Sequence, residues 1–394
     1  MEDLVVLAIA MMTVGQIGFC LPQFLLRSLH TQTYFPLAMF FFANAVIASG
    51  PAVFSLVPAW KTICIALIFP AWLLLGPSFW LYVEGLTSDS PWRMQPKHAI
   101  QLIPFIYGLI VAGLIISLPL EMRQVIFGNE TDVNSGFPLV VIISMFLAMM
   151  LWALQSAYYV IRIIIRLSRY RKQLKDLFAS NEQRELGWLS WLLLIIAGTW
   201  SFSFANLMST LIQNNTLFGY RYGFTMLLIL VWTLAYWGLR QKPGFEGRYI
   251  NDKSVKSAVT SSGPVVDKKY ERSALNKDQA LRIADKINAT MAKEQLHLDS
   301  SLSLHKLAQH IAISPNYISQ TLNETMETNF FDYVNKWRIE SAKPKLIANE
   351  DTVLNIALEV GFNARSSFYK VFKKETGMTP TEFRKSHSTQ TGRK

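Results

Sequence analysis

The chain has 394 residues, 51% hydrophobic, 13% aromatic and only 16% charged, with a formal net charge of +11. That average conceals two compositions: residues 1–238 carry thirteen Lys/Arg and ten Asp/Glu, whereas residues 239–394 carry twenty-five against seventeen. The positive excess thus lies toward the C-terminus and suits a polyanionic partner. An acidic start, Met1-Glu2-Asp3, disfavours a cleavable signal peptide, and two cysteines at opposite ends of apolar stretches, Cys20 and Cys64, lie too far apart for a disulfide.

Apolar stretches long enough for a hydrocarbon layer of about 30 Å run over 4–26, 35–57, 62–83, 98–118, 139–167, 188–211 and 222–239. Basic residues alternate between the intervening loops. With the N-terminus outside, the cytoplasmic loops hold Arg27, then Arg93 and Lys97, then Arg162, Arg166, Arg169, Arg171, Lys172, Lys175 and Arg184, whereas the outer ones hold Lys61, Arg123 and Arg221. An odd number of spans then delivers Arg240 to the cytoplasm.

Polar residues within these stretches are few: Gln16, Asn44, Gln155 and Asn206, with Glu84 at the inner end of the third. Such amides ordinarily make hydrogen bonds between helices, and Glu84 is expected to pair with a loop arginine such as Arg93 or Arg162. The sharper alternative is a sensor pocket between helices, lined by Trp72, Trp80, Tyr82 and Trp152. The seventh stretch has no lysine for a retinal Schiff base, and the scattered His30, His98, Cys20 and Cys64 lack the spacing of haem or metal ligands. A transporter would show repeats and charge pairs at mid-depth; Gly76-Pro77 and the stretch 108–113 are only mild interruptions. Residues 241–275, rich in Ser, Thr, Gly and Pro, read as a flexible cytoplasmic linker.

Within the tail, Leu304, Leu307, Ala308 and Ile311 form the stripe of a core-facing helix with Ser303 as its N-cap. Ser314-Pro315 opens a second helix that packs through Ile318 and Leu322 and presents Asn316, Ser319, Gln320 and Asn323 outward. About fifty residues later Val353, Ile356, Ala357 and Val360 repeat the stripe. Gly361 supplies a turn, and a helix from about Ala364 buries Phe368, Val371 and Phe372 beneath Arg365, Ser366, Tyr369, Lys370 and Lys373. His305 and His310 lie on an outer face without cysteine partners, so no metal is expected. Two helix-turn-helix patterns in tandem point to DNA reading far more strongly than one. Gly377 should end a helix, and Thr379-Pro380-Thr381-Glu382 reads as a capping box.

Over roughly residues 281–385 the chain resembles the AraC/XylS family of bacterial transcription regulators. The likeness rests on Leu307-Ala308, Ser314-Pro315-Asn316-Tyr317-Ile318-Ser319, Trp337-Arg338-Ile339-Glu340-Ser341-Ala342, Ile356-Ala357, Val360-Gly361-Phe362, Ser367-Phe368-Tyr369, Phe372-Lys373-Lys374 and Gly377-Met378-Thr379-Pro380. It implies DNA-facing roles for Asn316, Ser319 and Gln320 and for Arg365, Ser366, Ser367, Tyr369, Lys370 and Lys373. The apolar half is similar to seven-span sensors attached to some members of that family. Two departures stand out: residues 316–324 contain no Lys or Arg, and Pro344 should interrupt the connecting helix.

The expected fold is all-α: a seven-helix transmembrane bundle (1–240), the linker (241–275) and a soluble domain (276–394) with helix-turn-helix units near 303–325 and 352–375. Function follows as a one-component transcription regulator in the bacterial inner membrane, not an enzyme and without cofactors. Its expected partners are double-stranded promoter DNA and the lipid bilayer. RNA polymerase, a second copy of the chain and a small-molecule, lipid or protein signal are further candidates. A transporter with an appended autoregulatory DNA-binding domain is the alternative, and a scaffold whose tail contacts protein is a third reading.

Overall fold

The computed structural model describes residues 3–88, 91–127, 136–180, 186–198, 219–241, 275–349 and 351–391. Every regular element among them is helical, and they divide into two compact units, residues 1–167 with 186–259, and residues 168–185 with 260–394.

In the first unit the helices are Leu4–His30 (α1), Tyr34–Ala48 (α2), Gly50–Leu56 (α3), Lys61–Leu86 (α4), Pro96–Ala99 (α5), Ile103–Ser117 (α6), Leu120–Phe127 (α7), Phe137–Leu177 (α8), Gly187–Gly198 (α9) and Tyr220–Arg240 (α10). Residues of α8 from Ser168 onward group with the second unit. Six helical stretches among the described residues are long and apolar enough to cross a membrane, and Gly187–Gly198 is a shorter apolar one. The rest of the expected sixth span, including Asn206, lies outside the described residues, as does most of the linker.

This unit is apolar outside and partly polar inside. Phe19, Leu26, Leu154, Trp191 and Trp232 are more than half exposed, while Thr13, Asn44, Ser78 and Gln155 are buried. In water the exposed apolar surface would cost free energy; in hydrocarbon it is neutral, and Thr13, Asn44, Ser78 and Gln155 each donate to a backbone carbonyl.

Prolines explain several of the contacts. Pro77 lies inside α4 and lacks the N–H that would bond to the carbonyl of Leu73, and that carbonyl instead accepts from Gln155 Nε2 of α8 at 2.9 Å. Gly76 permits the approach, since a Cβ there would lie 2.8 Å from the Tyr159 ring. Gly108 of α6 likewise comes close to the backbone of Pro70 in α4, 2.6 Å from where a Cβ would stand. The second expected span is divided at Ser49 into α2 and α3, with Pro51 in the first turn of the latter.

In the second unit the tail comprises Lys277–Glu294 (α11), Leu304–Ile311 (α12), Pro315–Gln320 (α13), Phe330–Ala348 (α14), Val353–Glu359 (α15), Arg365–Thr376 (α16) and Pro380–Thr391 (α17). Two helix pairs, α12–α13 and α15–α16, flank α14. The first half of α14 gives Phe330, Tyr333 and Val334 to a core with Ile287, Met291, Leu304, Leu307, Ile311, Ile318 and Leu322. Its second half gives Ile339, Ala342 and Leu346 to a core with Ile356, Ala357, Val360, Phe368 and Phe372. One helix thus serves two cores. Burying a Leu or Phe side chain stabilises by about 1.5–3 kcal/mol, so each core supplies its own cohesion.

Pro344 does not interrupt this helix: α14 continues to Ala348 with Pro344 inside and exposed. It forgoes one ladder bond, to Glu340 O, and the helix runs on through it with Ile339, Ala342 and Leu346 held in the core on the opposite face.

Candidate nucleic-acid interface

Helix ends in the tail are set by the residues the sequence nominates. Ser303 Oγ accepts from Lys306 N at 3.3 Å and Thr352 Oγ1 from Asn355 N at 3.1 Å, so both leading helices are capped by a hydroxyl. Thr379 and Glu382 exchange hydrogen bonds, Thr379 N to Glu382 Oε2 at 2.7 Å and Glu382 N to Thr379 Oγ1 at 3.3 Å, completing the capping box. Gly361 has φ +92 and Gly377 φ +80, the left-handed backbone expected at a turn and a C-cap.

The outer face of α16 presents Arg365, Ser366, Lys370 and Lys373 exposed, with Ser367 and Tyr369 half-buried, over buried Phe368, Val371 and Phe372. Arg365 is held in place: its guanidinium lies over the Tyr369 ring at 4.9 Å, and Nη2 donates to Tyr369 Oη at 3.0 Å. Tyr369 Oη also hydrogen-bonds Thr381 Oγ1 at 2.8 Å. Burial alone would raise the pKa of that phenol, but Thr381 and Arg365 outweigh it and bring it below its ordinary value. Lys374 turns away to pair with Asp332 at 2.8 Å, leaving Lys370 and Lys373 as the outward lysines of this face.

On the first pair the geometry is different. α13 is six residues long and passes at Thr321–Thr325 into a π-type turn, closed by Met326 N donating to Thr321 O at 3.0 Å. Asn316 is exposed, whereas Gln320 Nε2 donates to Glu324 Oε2 at 2.9 Å and Asn323 Nδ2 to Ser319 O at 3.0 Å. This face is neutral to acidic. His310, also on an outer face, meets Glu294, and no cluster of metal-ligating residues occurs among the described residues.

In the first unit the polar residues of the apolar helices do not converge. Asn44 Nδ2 donates to Phe40 O of its own helix at 2.8 Å rather than to a neighbour. Gln155 serves the carbonyl opposite Pro77, while Gln16 Oε1 is buried without a hydrogen-bond partner. Glu84 faces His98 Nε2 at 3.8 Å and, as the expected loop arginine, Arg166 Nη1 at 4.0 Å in place of Arg93 or Arg162. Arg162 is drawn off by aromatics, with its guanidinium 4.0 Å from the Trp80 ring. Trp72 stacks on Trp152 at 5.3 Å, so two of the expected pocket-lining rings fill space against each other.

Arg338 is the residue whose place the residue pattern did not single out. It is 0% exposed, at the junction of the two tail cores, with Nε donating to His297 O at 2.8 Å and Nη2 to Asp299 O at 2.9 Å. A signal for this existed: Val334, Arg338 and Ala342 follow one another at four-residue spacing, which aligns Arg338 with the buried stripe of α14.

Comparison with known proteins matches residues 307–386 to a helix-turn-helix domain. An uncharacterized HTH-type transcriptional regulator of Staphylococcus aureus (strain COL) is 31% identical over 115 residues, covering 29% of this chain and 15% of that protein. The melibiose operon regulatory protein of Escherichia coli (strain K12) is 31% identical over 87 residues, 22% of this chain and 29% of its own length. The chain therefore spans less than a third of these relatives. Among solved structures, a Listeria innocua protein of unknown function is 30% identical with a TM-score of 0.25, covering 27% of this chain and 97% of that one. The C-terminal domain of AraT, a response regulator from Geobacillus stearothermophilus, is 26% identical with a TM-score of 0.24, covering 29% and 88%. The C-terminal part of the chain carries an AraC-type helix-turn-helix domain, the kind that binds DNA in the transcription regulators it resembles.

Proposed function

We propose that this protein is a one-component transcription regulator embedded in the bacterial inner membrane, with two tandem helix-turn-helix units, α12–α13 and α15–α16, reading promoter DNA in the cytoplasm. The observation that carries the reading is the outer face of α16, where Arg365, Ser366, Lys370 and Lys373 stand exposed on one helix over a buried aromatic core. Arg365 is the base-reading residue of the pair, being a fixed fork suited to guanine O6 and N7. Lys370 and Lys373 neutralise phosphates, with Ser366, Ser367 and Tyr369 as shorter-range contacts. Asn316, Ser319 and Gln320 read the neighbouring groove segment without added charge. The nineteen residues of α14 span about 28 Å at about 1.5 Å per residue, suited to setting two helices on successive major-groove faces about 34 Å apart.

Seven spans, counting the one that begins with α9, place the N-terminus outside and the tail inside, a direction supported by the loop arginines. The bundle takes a small-molecule, lipid or protein signal, with Gln16, Asn44, Glu84, Gln155 and Asn206 as its candidate polar contacts. A second copy and RNA polymerase are the protein partners through which a change in tail placement would reach transcription.

The test uses the full chain in lipid nanodiscs, selecting from fragmented genomic DNA at two salt concentrations. The expected result is a discrete motif spanning adjacent major-groove faces. Joint Arg365→Ala and Lys370→Ala replacement should weaken binding about a hundredfold, the loss of one bidentate base contact and one phosphate contact. Unchanged affinity in that double variant would remove α16 as the reading face.

A further inference from the structure

The second unit contains a piece of chain that the sequence assigns elsewhere. Residues 168–185 group with the tail, and beyond Leu177 their described part leaves the helical path. Phe178 forms an antiparallel bridge with Ser303, and Ala179 N donates to Leu302 O at 3.3 Å. Ala179 is 1% exposed and belongs to the same core as Ile287, Leu307, Ile318 and Val334, with Leu177 packed beside it.

Arg338 receives this segment. Its Nη1 donates to Ala179 O at 3.2 Å and to Ser180 Oγ at 3.1 Å, as well as to Asn335 Oδ1 at 3.3 Å. Asn335 Nδ2 in turn reaches Ala179 O at 3.5 Å. Arginine cannot shed its charge on burial, so a fully buried guanidinium requires acceptors on every edge. Two edges are served by the tail's own carbonyls at His297 and Asp299, and the third faces the incoming segment.

We propose that the Leu302–Ser303 edge together with Arg338 and Asn335 is a docking site on the DNA-binding domain whose occupant is this chain's own Leu177–Ser180 segment. The occupant is specified by backbone and size. A carbonyl must meet the guanidinium, an extended turn of chain must pair with Leu302 and Ser303, and the residue entering the core must be as small as Ala179. Since the segment directly follows α8, and taking the apolar part of α8 as a span as proposed above, the domain has a second attachment beside the linker. The attachment acts on the first helix pair, because Ala179 enters the core that holds α12 and α13 and not the core beneath α16. A displacement at the end of α8 would therefore reach the first pair through packed side chains.

Disulfide trapping in the full chain tests this without reference to DNA, so its failure and the failure of the regulator reading are distinguishable. Residues facing one another across an antiparallel bridge lie within disulfide range. Phe178→Cys with Ser303→Cys should thus cross-link in membranes on oxidation by copper(II) phenanthroline, with the native Cys20 and Cys64 buried away from the reaction. After cleavage at a protease site inserted within residues 243–266, the tail fragment should stay with the membrane fraction until a thiol reductant releases it. Adding Ala179→Arg, which overfills the site, should lower that retention about tenfold. Retention no greater than for Phe178→Cys paired with Asn355→Cys, an exposed position on the second helix pair, overturns the proposal. Retention unaffected by Ala179→Arg does so as well.

Discussion

The two helix pairs of the tail share a ground plan and differ in what they place on the outside. Both begin with a hydroxyl cap, Ser303 or Thr352, and bury the same stripe of apolar positions against one half of α14. The second then runs twelve residues as α16 with a basic outer face, while the first has six residues of α13 that relax into a π-type turn with no cation on it. The difference teaches that the buried stripe fixes where a reading helix lies, whereas its outer residues decide how it reads. The second pair is suited to supply charge and, through Arg365, a base contact, the first to read without charge and to receive the Leu177–Ser180 segment.

The largest effect that would break this division lies at the turns. Gly361 turns the second pair with φ +92, and a Cβ there would stand 2.7 Å from His297 O and 2.8 Å from Leu298 O. Ala312 turns the first pair with φ +53. Gly361→Ala should therefore cost about 2–4 kcal/mol in thermal or denaturant unfolding of the tail, from left-handed strain and the backbone clash together. Ala312→Gly should cost nothing or stabilise by up to about 1 kcal/mol, because the strained Cβ is removed. Equal losses at the two turns would mean that the pairs are not built differently there.

Next in size is the division of labour on DNA. Lys370→Ala should weaken binding to all sequences alike and reduce the slope of log affinity against log salt by about 1. Asn316→Ala should leave that slope unchanged and relax discrimination at its own base position by about 1–3 kcal/mol. Parallel titrations of the full chain over a salt series, against the selected site and a scrambled one, separate the two outcomes.

The smallest effect concerns pH. His297 is buried at the junction of the cores, hydrogen-bonded to Ser341 Oγ at 2.8 Å, and both burial and the nearby Arg338 charge hold its pKa below the ordinary 6.5. Above that value the ring is neutral in folded and unfolded chains alike, so stability is flat. As pH falls from 6.5 toward the lower folded value, the unfolded chain takes up a proton that the folded one refuses, and stability declines. His297→Gln should flatten this decline between pH 7 and 5 in unfolding measurements. An unaltered profile would place the titrating group elsewhere.

Local features of the tail were legible because they are written at short range. The stripe Leu304, Leu307, Ala308, Ile311 is a helical period, and Ser303, Gly361, Gly377 and the Thr379–Glu382 box act within four residues of themselves. The outward positions of Arg365, Ser366, Lys370 and Lys373 follow from the same period. Pro344 is the counter-case: it removes one ladder bond, and whether the helix breaks there depends on tertiary packing, which here holds Ile339, Ala342 and Leu346 in place.

Other features depend on which distant group arrives. That Glu84 would meet a loop arginine was legible, but not which one: Arg166 pairs with it while the Arg162 guanidinium lies against the Trp80 ring, a choice that no spacing reveals. Gln155 bonds to Leu73 O because Pro77 left that carbonyl free, eighty-two positions away in the chain. The sequence by itself determined the apolar helices, the two helix pairs, their caps and the exposed basic face of the second, since each follows from periodicity and local hydrogen bonding. Only the tertiary structure decided that Ala179 and Ser180 meet the Arg338 guanidinium, because a buried charge is satisfied by whichever acceptors packing brings to it, and those acceptors carry no mark of their own in the chain.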